Sequence, residues 1–178
     1  MMKSPRQGFL ALLILLSISI FDFNLSALDE EITFENISIE QGLSQSAVFC
    51  IARDRRGFMW FGTEDGLNRY DGYEFVIYKP DPHDPGSLSS NNIWSIYEDS
   101  KGTLWIGTYN GLNKYNRERG NFTHFFSVPG DENGLSHNNV RVVYESPSEQ
   151  GKLWIGTDGG GLCQFDPLTG TFYRCPVN

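Results

Sequence analysis

The chain is acidic and rich in glycine. It has 178 residues, a formal net charge of −8 and 19 glycines, and 14% of its residues are aromatic. An acidic chain without a cluster of Lys and Arg binds nucleic acid and anionic lipid poorly, so neither is expected as a partner. Frequent Gly, Asn and Asp clusters are typical of many short strands joined by tight turns, and they disfavour a helical bundle.

Residues 1–27 have the features of an export signal. Lys3 and Arg6 precede a mostly apolar stretch over 9–21, and a small-residue cleavage site ends at Ala27. The apolar stretch is shorter than the roughly 20 residues that a transmembrane helix needs. We therefore predict a cleaved signal peptide, with an uncleaved anchor as the alternative. Either one places the rest of the chain in the periplasm or on the extracytoplasmic face of the inner membrane.

A short pattern, Trp followed by any residue, Gly and Thr, occurs three times at intervals of about 45 residues. Its members are Trp60, Gly62 and Thr63, then Trp105, Gly107 and Thr108, and then Trp154, Gly156 and Thr157. Related segments flank each copy, and every copy divides into four short strands, which we call a to d. Four antiparallel strands repeated at this interval are the signature of a β-propeller blade. The predicted fold is all-β, with three blades of an incomplete propeller.

The repeat also predicts domain bounds and a role for the tryptophans. The expected segments are a lead-in strand over 28–41 and blades over 42–87, 88–134 and 135–178, of which the last can be incomplete. A four-stranded sheet cannot bury both of its faces alone, so the repeated Trp is expected to pack between blades. The glycine beside it lets adjacent sheets approach closely. An aromatic platform for sugar is the weaker alternative, because a strictly repeated residue usually serves the repeat.

Three cysteines are present, and none has the C-x-x-C spacing of a zinc site. Cys163 and Cys175 are equidistant from Thr169, at a predicted hairpin turn. Two unpaired, half-buried thiols are the simpler interpretation. A cross-strand disulfide is the alternative, which an oxidising compartment permits. No metal site and no cofactor is expected.

Three stretches resemble the two-component regulator propeller family, namely 41–44, 57–72 and 99–108. The resemblance covers roughly residues 31–178. It implies a periplasmic sensor domain that is followed by further blades, an immunoglobulin-like connector, a transmembrane helix and a histidine kinase or diguanylate cyclase. A closed propeller needs about four to eight blades, so we expect a fragment or truncated form of such a protein. Self-assembly of three-blade arcs into a ring is the weaker alternative.

Ligand recognition is expected in the loops, because the repeat explains most other conspicuous residues as scaffold. Strands that pair in order place the b–c turns and the d–a loops on one face of the propeller. The candidate ligand-binding residues in the b–c turns are Glu64, Asp65, Tyr109, Asn110 and Asp158. Ordinary solvated turns are the alternative for any one of them. The expected ligand is an extracellular small molecule or glycan, and a full-length parent can also form a homodimer.

No residue is assigned a catalytic role. His83, His124 and His137 occupy different positions in their copies, no Glu/His pair has metal-ligand spacing, and no G-x-S-x-G motif occurs. We therefore expect a non-catalytic sensor module, with the membrane reached only through downstream segments or an uncleaved signal. Part of a secreted propeller enzyme, a glycan lyase or hydrolase, is the alternative.

Overall fold

The computed structural model describes residues 33–34 and 36–175, and its strands lie in the compact unit 36–178. They form three four-stranded antiparallel sheets in which consecutive strands pair. Blade 1 contains β1 (Val48–Arg53), β2 (Met59–Thr63), β3 (Gly66–Tyr70) and β4 (Phe75–Tyr78). Blade 2 contains β5 (Ile93–Glu98), β6 (Leu104–Thr108), β7 (Gly111–Asn116) and β8 (Asn121–Phe125). Blade 3 contains β9 (Val140–Glu145), β10 (Leu153–Thr157), β11 (Gly161–Asp166) and β12 (Thr171–Arg174). The predicted all-β fold of propeller blades is confirmed.

The first strands of the blades form the inner edge of the arc. β1 contacts β5 and β5 contacts β9 more extensively than any other strands of different blades. In a propeller, strands that converge in this way surround the central channel. We use "inner edge" below for the edge formed by these three strands.

The repeated tryptophans lie on equivalent faces of the sheets. Trp60 is fully buried against blade 2, with its ring 5.2 Å from that of Tyr115. Trp105 is fully buried against blade 3, with its ring 5.5 Å from that of Phe165. Trp154 is only half-buried, because its face of blade 3 has no further sheet against it within the described residues. The same residue type therefore has two different environments, set by whether another blade follows.

An Asp–Trp hydrogen bond closes the a–b turn of the first two blades. Asp54 Oδ2 accepts from Trp60 Nε1 at 3.0 Å, and Asp99 Oδ2 accepts from Trp105 Nε1 at 2.9 Å. Each buried indole N–H is thus satisfied, as burial requires. The third copy has Ser146 at the position of these aspartates, so blade 3 lacks this bond.

Carboxylates at the blade boundaries hold adjacent a–b turns together. Glu98 of blade 2 accepts from the backbone N–H of Arg55 in blade 1 at 2.8 Å. Glu145 of blade 3 accepts from the backbone N–H of Ser100 at 2.7 Å and from its hydroxyl at 2.6 Å. Burial raises the pKa of Glu145, but these bonds and one from Gly151 outweigh it and hold the pKa below its ordinary value. Adjacent blades are therefore joined by hydrogen bonds to carboxylates as well as by apolar packing.

Arg117 adds a second charged link between blades 1 and 2. Its guanidinium lies 2.6 Å from Asp54 Oδ2 and 2.8 Å from Glu98 Oε1, and all three side chains are largely buried. Burial raises the pKa of Asp54, but hydrogen bonds from Arg117 and Trp60 and the Arg117 charge lower it below its ordinary value. Removing one partner of such a pair leaves an uncompensated buried charge, which is strongly destabilising.

The Glu145 link predicts a loss of stability in acid. A folded-state pKa below the unfolded value of about 4 means that the ionised carboxylate stabilises the fold near neutral pH and that this contribution is lost as the pH falls through the folded pKa. Glu145→Gln should lower the free energy of unfolding by about 1–3 kcal/mol at pH 7 and should reduce its dependence on pH below about 4. Urea denaturation at pH 7 and pH 3 measures both effects. The exposed Glu118→Gln is the control, and an unchanged pH dependence in Glu145→Gln would contradict the assignment.

One prediction about local structure needs correction. The lead-in strand predicted over 28–41 is wrong for the described part of that segment, which contains instead the 3-10 helix Ile39–Gln41. Ser38 caps this helix, since its hydroxyl accepts from Glu40 N and its own N–H donates to Gln41 Oε1. Gly42 then ends the helix at φ 106°. The signal peptide predicted over 1–27 lies outside the described residues.

The structure contradicts the alternative of a cross-strand disulfide. Cys163 pairs with Arg174 across the β11–β12 hairpin, and Cys175 N donates to Leu162 O at 2.9 Å. Adjacent residues of a strand point to opposite faces, so Cys163 and Cys175 lie on different faces and the cross-strand disulfide does not form. Both thiols are free. The hairpin is centred half a residue before Thr169. Because of this offset, Cys163 lies opposite Arg174 and not opposite Cys175.

Candidate functional site

The b–c turns and the d–a loops lie together on one face of the arc, which we call the turn face. Gly66 N, after the b–c turn of blade 1, donates to Asn91 O in the next d–a loop at 2.8 Å. Gly111 N donates to Asn138 O in the same way at 2.6 Å. Both glycines have positive φ, 118° and 102°, a conformation that side-chain-bearing residues rarely adopt. Each turn is therefore fixed against a loop by the backbone.

The predicted ligand-binding residues of blades 1 and 2 are at the surface. Glu64 and Tyr109 are exposed, and Asp65 forms an ion pair with Lys79 at 2.7 Å. Asn110 N donates to Thr108 Oγ1, as in an ordinary capped turn. Ion pairs at this exposure contribute little stability, about 0–1 kcal/mol.

Asp158 in blade 3 has a richer environment than the other four. Its Oδ2 accepts from Arg141 at 2.9 Å and from Asn139 Nδ2 at 3.2 Å, and its N–H donates to Asn139 O at 2.8 Å. No hydrogen bond among the described residues joins the b–c turns of different blades to one another. The structure therefore does not bring the five predicted residues into one cluster, and it singles out Asp158.

Three residues missed by the sequence analysis lie at the inner edge, and one of them, Arg141, contacts Asp158. In each blade, the pairing between the first two strands skips one residue of the first strand. The skipped residue is Phe49 in blade 1, Trp94 in blade 2 and Arg141 in blade 3. The rings of Phe49 and Trp94 stack at 4.8 Å, and the guanidinium of Arg141 lies 4.1 Å from the Trp94 ring centroid. One signal was available in the sequence, because Trp94 is the one Trp of four that lies outside the repeated pattern.

Two of the three histidines form hydrogen bonds with the backbone of d–a loops. A ring nitrogen of His124 lies 2.7 Å from Ser87 O, and His137 Nδ1 accepts from Asn139 N at 3.1 Å. No group of three or more His, Cys, Asp or Glu in the described ranges has the geometry to hold a metal ion.

Two clefts in the described part of the chain were candidates for a binding site by size. One of about 380 Å³ follows the a–b and c–d turns, on the opposite side of the arc, and Lys101, Lys114 and Arg117 contribute to its lining. Another, of about 420 Å³, lies beside Tyr173 and Arg174 on blade 3. Neither is lined by Glu64, Asp65, Tyr109, Asn110 or Asp158.

The repeat matches a known family at two of its three copies. Residues 42–65 and 87–110 match the family described as two component regulator propeller. These two copies are repeats of the two-component regulator propeller type. The two matched stretches each run from the start of a blade to its b–c turn, so the family pattern contains the Trp-x-Gly-Thr core and the Asp that bonds the Trp.

A histidine kinase and two extracellular sensor domains are similar to this chain in sequence or structure. Histidine kinase P4 of Formosa agariphila is 41% identical over 76 residues, which is 41% of this chain and 6% of that protein. The extracellular domain of a hybrid two-component system of B. thetaiotaomicron is 34% identical with a TM-score of 0.73, covering 81% of this chain and 20% of that one. A second such domain from the same organism is 31% identical with a TM-score of 0.63, covering 78% and 19%.

The chain thus spans about a fifth of the extracellular domains that it matches and a much smaller share of the matched kinase. The matched structures are extracellular domains of two-component sensors, in keeping with an extracytoplasmic location for a propeller of this kind. Within the described ranges no helix is long and apolar enough to cross a membrane.

Proposed function

We propose that this two-component regulator propeller is a non-catalytic, ligand-recognising part of an extracytoplasmic sensor, and that its blades belong to a longer signalling protein. The observation that carries the proposal is the structural match to the extracellular domains of two hybrid two-component systems at 34% and 31% identity. The identity with a histidine kinase over 76 residues supports the same role.

The distribution of residues supports recognition rather than catalysis. The repeated residues are buried in the packing between blades, as Trp60 and Trp105 show. Arg141 and Asp158, which differ from their counterparts in the other copies, form a polar cluster with Asn139 where the inner edge meets the turn face. Loops placed by a rigid scaffold are where binding residues usually lie.

A co-elution experiment separates recognition from catalysis. The full chain is incubated with a mixture of neutral and acidic oligosaccharides and passed over a size-exclusion column, and the retained material is identified by mass spectrometry. The proposal predicts that at least one oligosaccharide elutes with the protein and that its mass is unchanged. Shortened or unsaturated products would favour the glycan lyase or hydrolase, and no retained ligand would contradict recognition of glycans by these blades.

A further inference from the structure

The inner edge of blade 3 departs from the repeat in a way that the fold does not require. The skipped residue of the first strand is Phe49 in blade 1, Trp94 in blade 2 and Arg141 in blade 3. A residue that the blade itself needs recurs in each copy, as the Trp of the Trp-x-Gly-Thr core does. Blade 3 therefore has a charged residue at the position where blades 1 and 2 have an aromatic one.

Arg141 is held in one orientation by its neighbours. Its guanidinium lies 4.1 Å from the Trp94 ring centroid, and Nη2 donates to Asp158 Oδ2 at 2.9 Å. Stacking on an aromatic ring together with an ion pair fixes the plane of a guanidinium and reduces the entropy lost when it binds a ligand. The side chain nevertheless remains 43% exposed. It is both oriented and accessible.

Groups around Arg141 have hydrogen-bonding capacity that the described part of the chain does not use. Nε and Nη1 of Arg141 and Oδ1 of Asp158 take no part in a hydrogen bond there. Asn139 is 7% exposed, and its Oδ1 has no partner, nor does the buried Nε1 of Trp94. Buried polar atoms are rarely left unpaired in folded proteins, because each costs about 1–3 kcal/mol. The cluster thus offers donors and acceptors side by side.

The charge of the cluster selects among ligands. The charges of Arg141 and Asp158 neutralise each other. A carboxylate ligand is therefore repelled by Asp158, and a cationic ligand is repelled by Arg141. A pair of neighbouring hydroxyl groups has no such conflict, since one hydroxyl accepts from the guanidinium while the other donates to the carboxylate. Hydrogen bonds to charged groups are also the stronger ones.

We propose that Arg141, Asp158 and Asn139, oriented by Trp94, form a binding subsite for the vicinal hydroxyl groups of a neutral sugar residue at the inner edge of blade 3. The subsite rests on the proposed function as a ligand-recognising propeller. It assigns recognition to one cluster of blade 3, whose Arg141 and Asp158 do not recur in the other copies, rather than to the turn face as a whole.

Titration of the full chain with D-glucose, D-galactose, D-mannose and D-glucuronate tests the subsite. At least one neutral sugar should bind, and D-glucuronate should bind more weakly. Arg141→Lys keeps the charge but loses the planar fork, and Asp158→Asn removes the charged acceptor, so each should weaken binding of the neutral sugar about tenfold or more. Arg119→Lys, on an exposed c–d turn, is the matched control and should bind as the parent does.

A spectroscopic measurement on the unmodified chain covers the case in which a variant does not fold. In two-dimensional NMR spectra, a bound sugar should shift the indole N–H resonance of Trp94 and leave those of Trp60 and Trp105, which are bonded to Asp54 and Asp99, unchanged. Tighter binding of D-glucuronate, no binding of any neutral sugar, or an unmoved Trp94 resonance with sugar bound would each overturn the subsite. If oligosaccharides are retained in the co-elution experiment while Arg141→Lys and Asp158→Asn bind as the parent does, the subsite is wrong and the proposed function stands.

Discussion

Trp105→Ala is expected to lower the free energy of unfolding by about 3–5 kcal/mol, which is the usual cost of removing a large aromatic side chain from a core. Trp105 is 1% exposed and packs between blades 2 and 3, where it contacts Phe165. The substitution also deprives the buried Asp99 carboxylate of the indole N–H at 2.9 Å. A loss of this size is comparable with the whole stability of many domains, so the cooperative urea transition should shift strongly or disappear.

The chain supplies its own control for this substitution. Trp154 occupies the same position in blade 3, but it is half-buried and its blade has Ser146 in place of the bonding Asp. Trp154→Ala should therefore cost less than half as much as Trp105→Ala. Equal losses for the two variants would contradict the assignment of the repeated Trp to the packing between blades.

Gly107→Ala should lower the free energy of unfolding by about 1–3 kcal/mol, the usual cost of overpacking a core. A methyl group at Gly107 would lie 2.9 Å from Val140 Cγ1 and 2.9 Å from Val140 O, both in the first strand of blade 3. Because one of these atoms belongs to the backbone, relief requires the two blades to move apart. The repeated glycine thus sets the distance between adjacent sheets.

Gly156→Ala is the matched variant in the third copy, and it should be neutral or stabilising by up to about 1 kcal/mol. A methyl group at Gly156 would meet nothing closer than Val142 Cβ at 3.5 Å, an ordinary contact. Urea denaturation of the two variants measures the difference. A loss at Gly156 as large as that at Gly107 would show that the glycine serves its own sheet and not the neighbouring blade.

The blade architecture was predictable because each interface between blades needs the same types of residue at the same spacing. Trp60 and Trp105 fill equivalent spaces between sheets, and the glycines two residues later allow the next blade to approach. A repeated residue at a fixed spacing therefore reports repeated packing. The 3-10 helix before blade 1 was also readable in principle, since Ser38 and Gln41 have the spacing of a capping box.

The candidate site was only partly predictable. Asp158 was found from its place in a polar turn, but Trp94 and Arg141 were not, because their contact depends on how the first strands of two blades approach each other. The alternative of a Cys163–Cys175 disulfide was wrong for a related reason. A hairpin offset of half a residue moves Cys175 to the other face of the sheet from Cys163, and sequence spacing does not fix register so finely.

Location decides whether these blades can sense an external ligand, and a reporter fusion measures it directly. Alkaline phosphatase needs an oxidising compartment to form its disulfides. Joined after residue 175 and expressed in a Gram-negative host, it should be active, and deletion of residues 1–27 should abolish that activity. An inactive phosphatase fusion together with an active cytoplasmic reporter at the same position would contradict an extracytoplasmic sensor propeller.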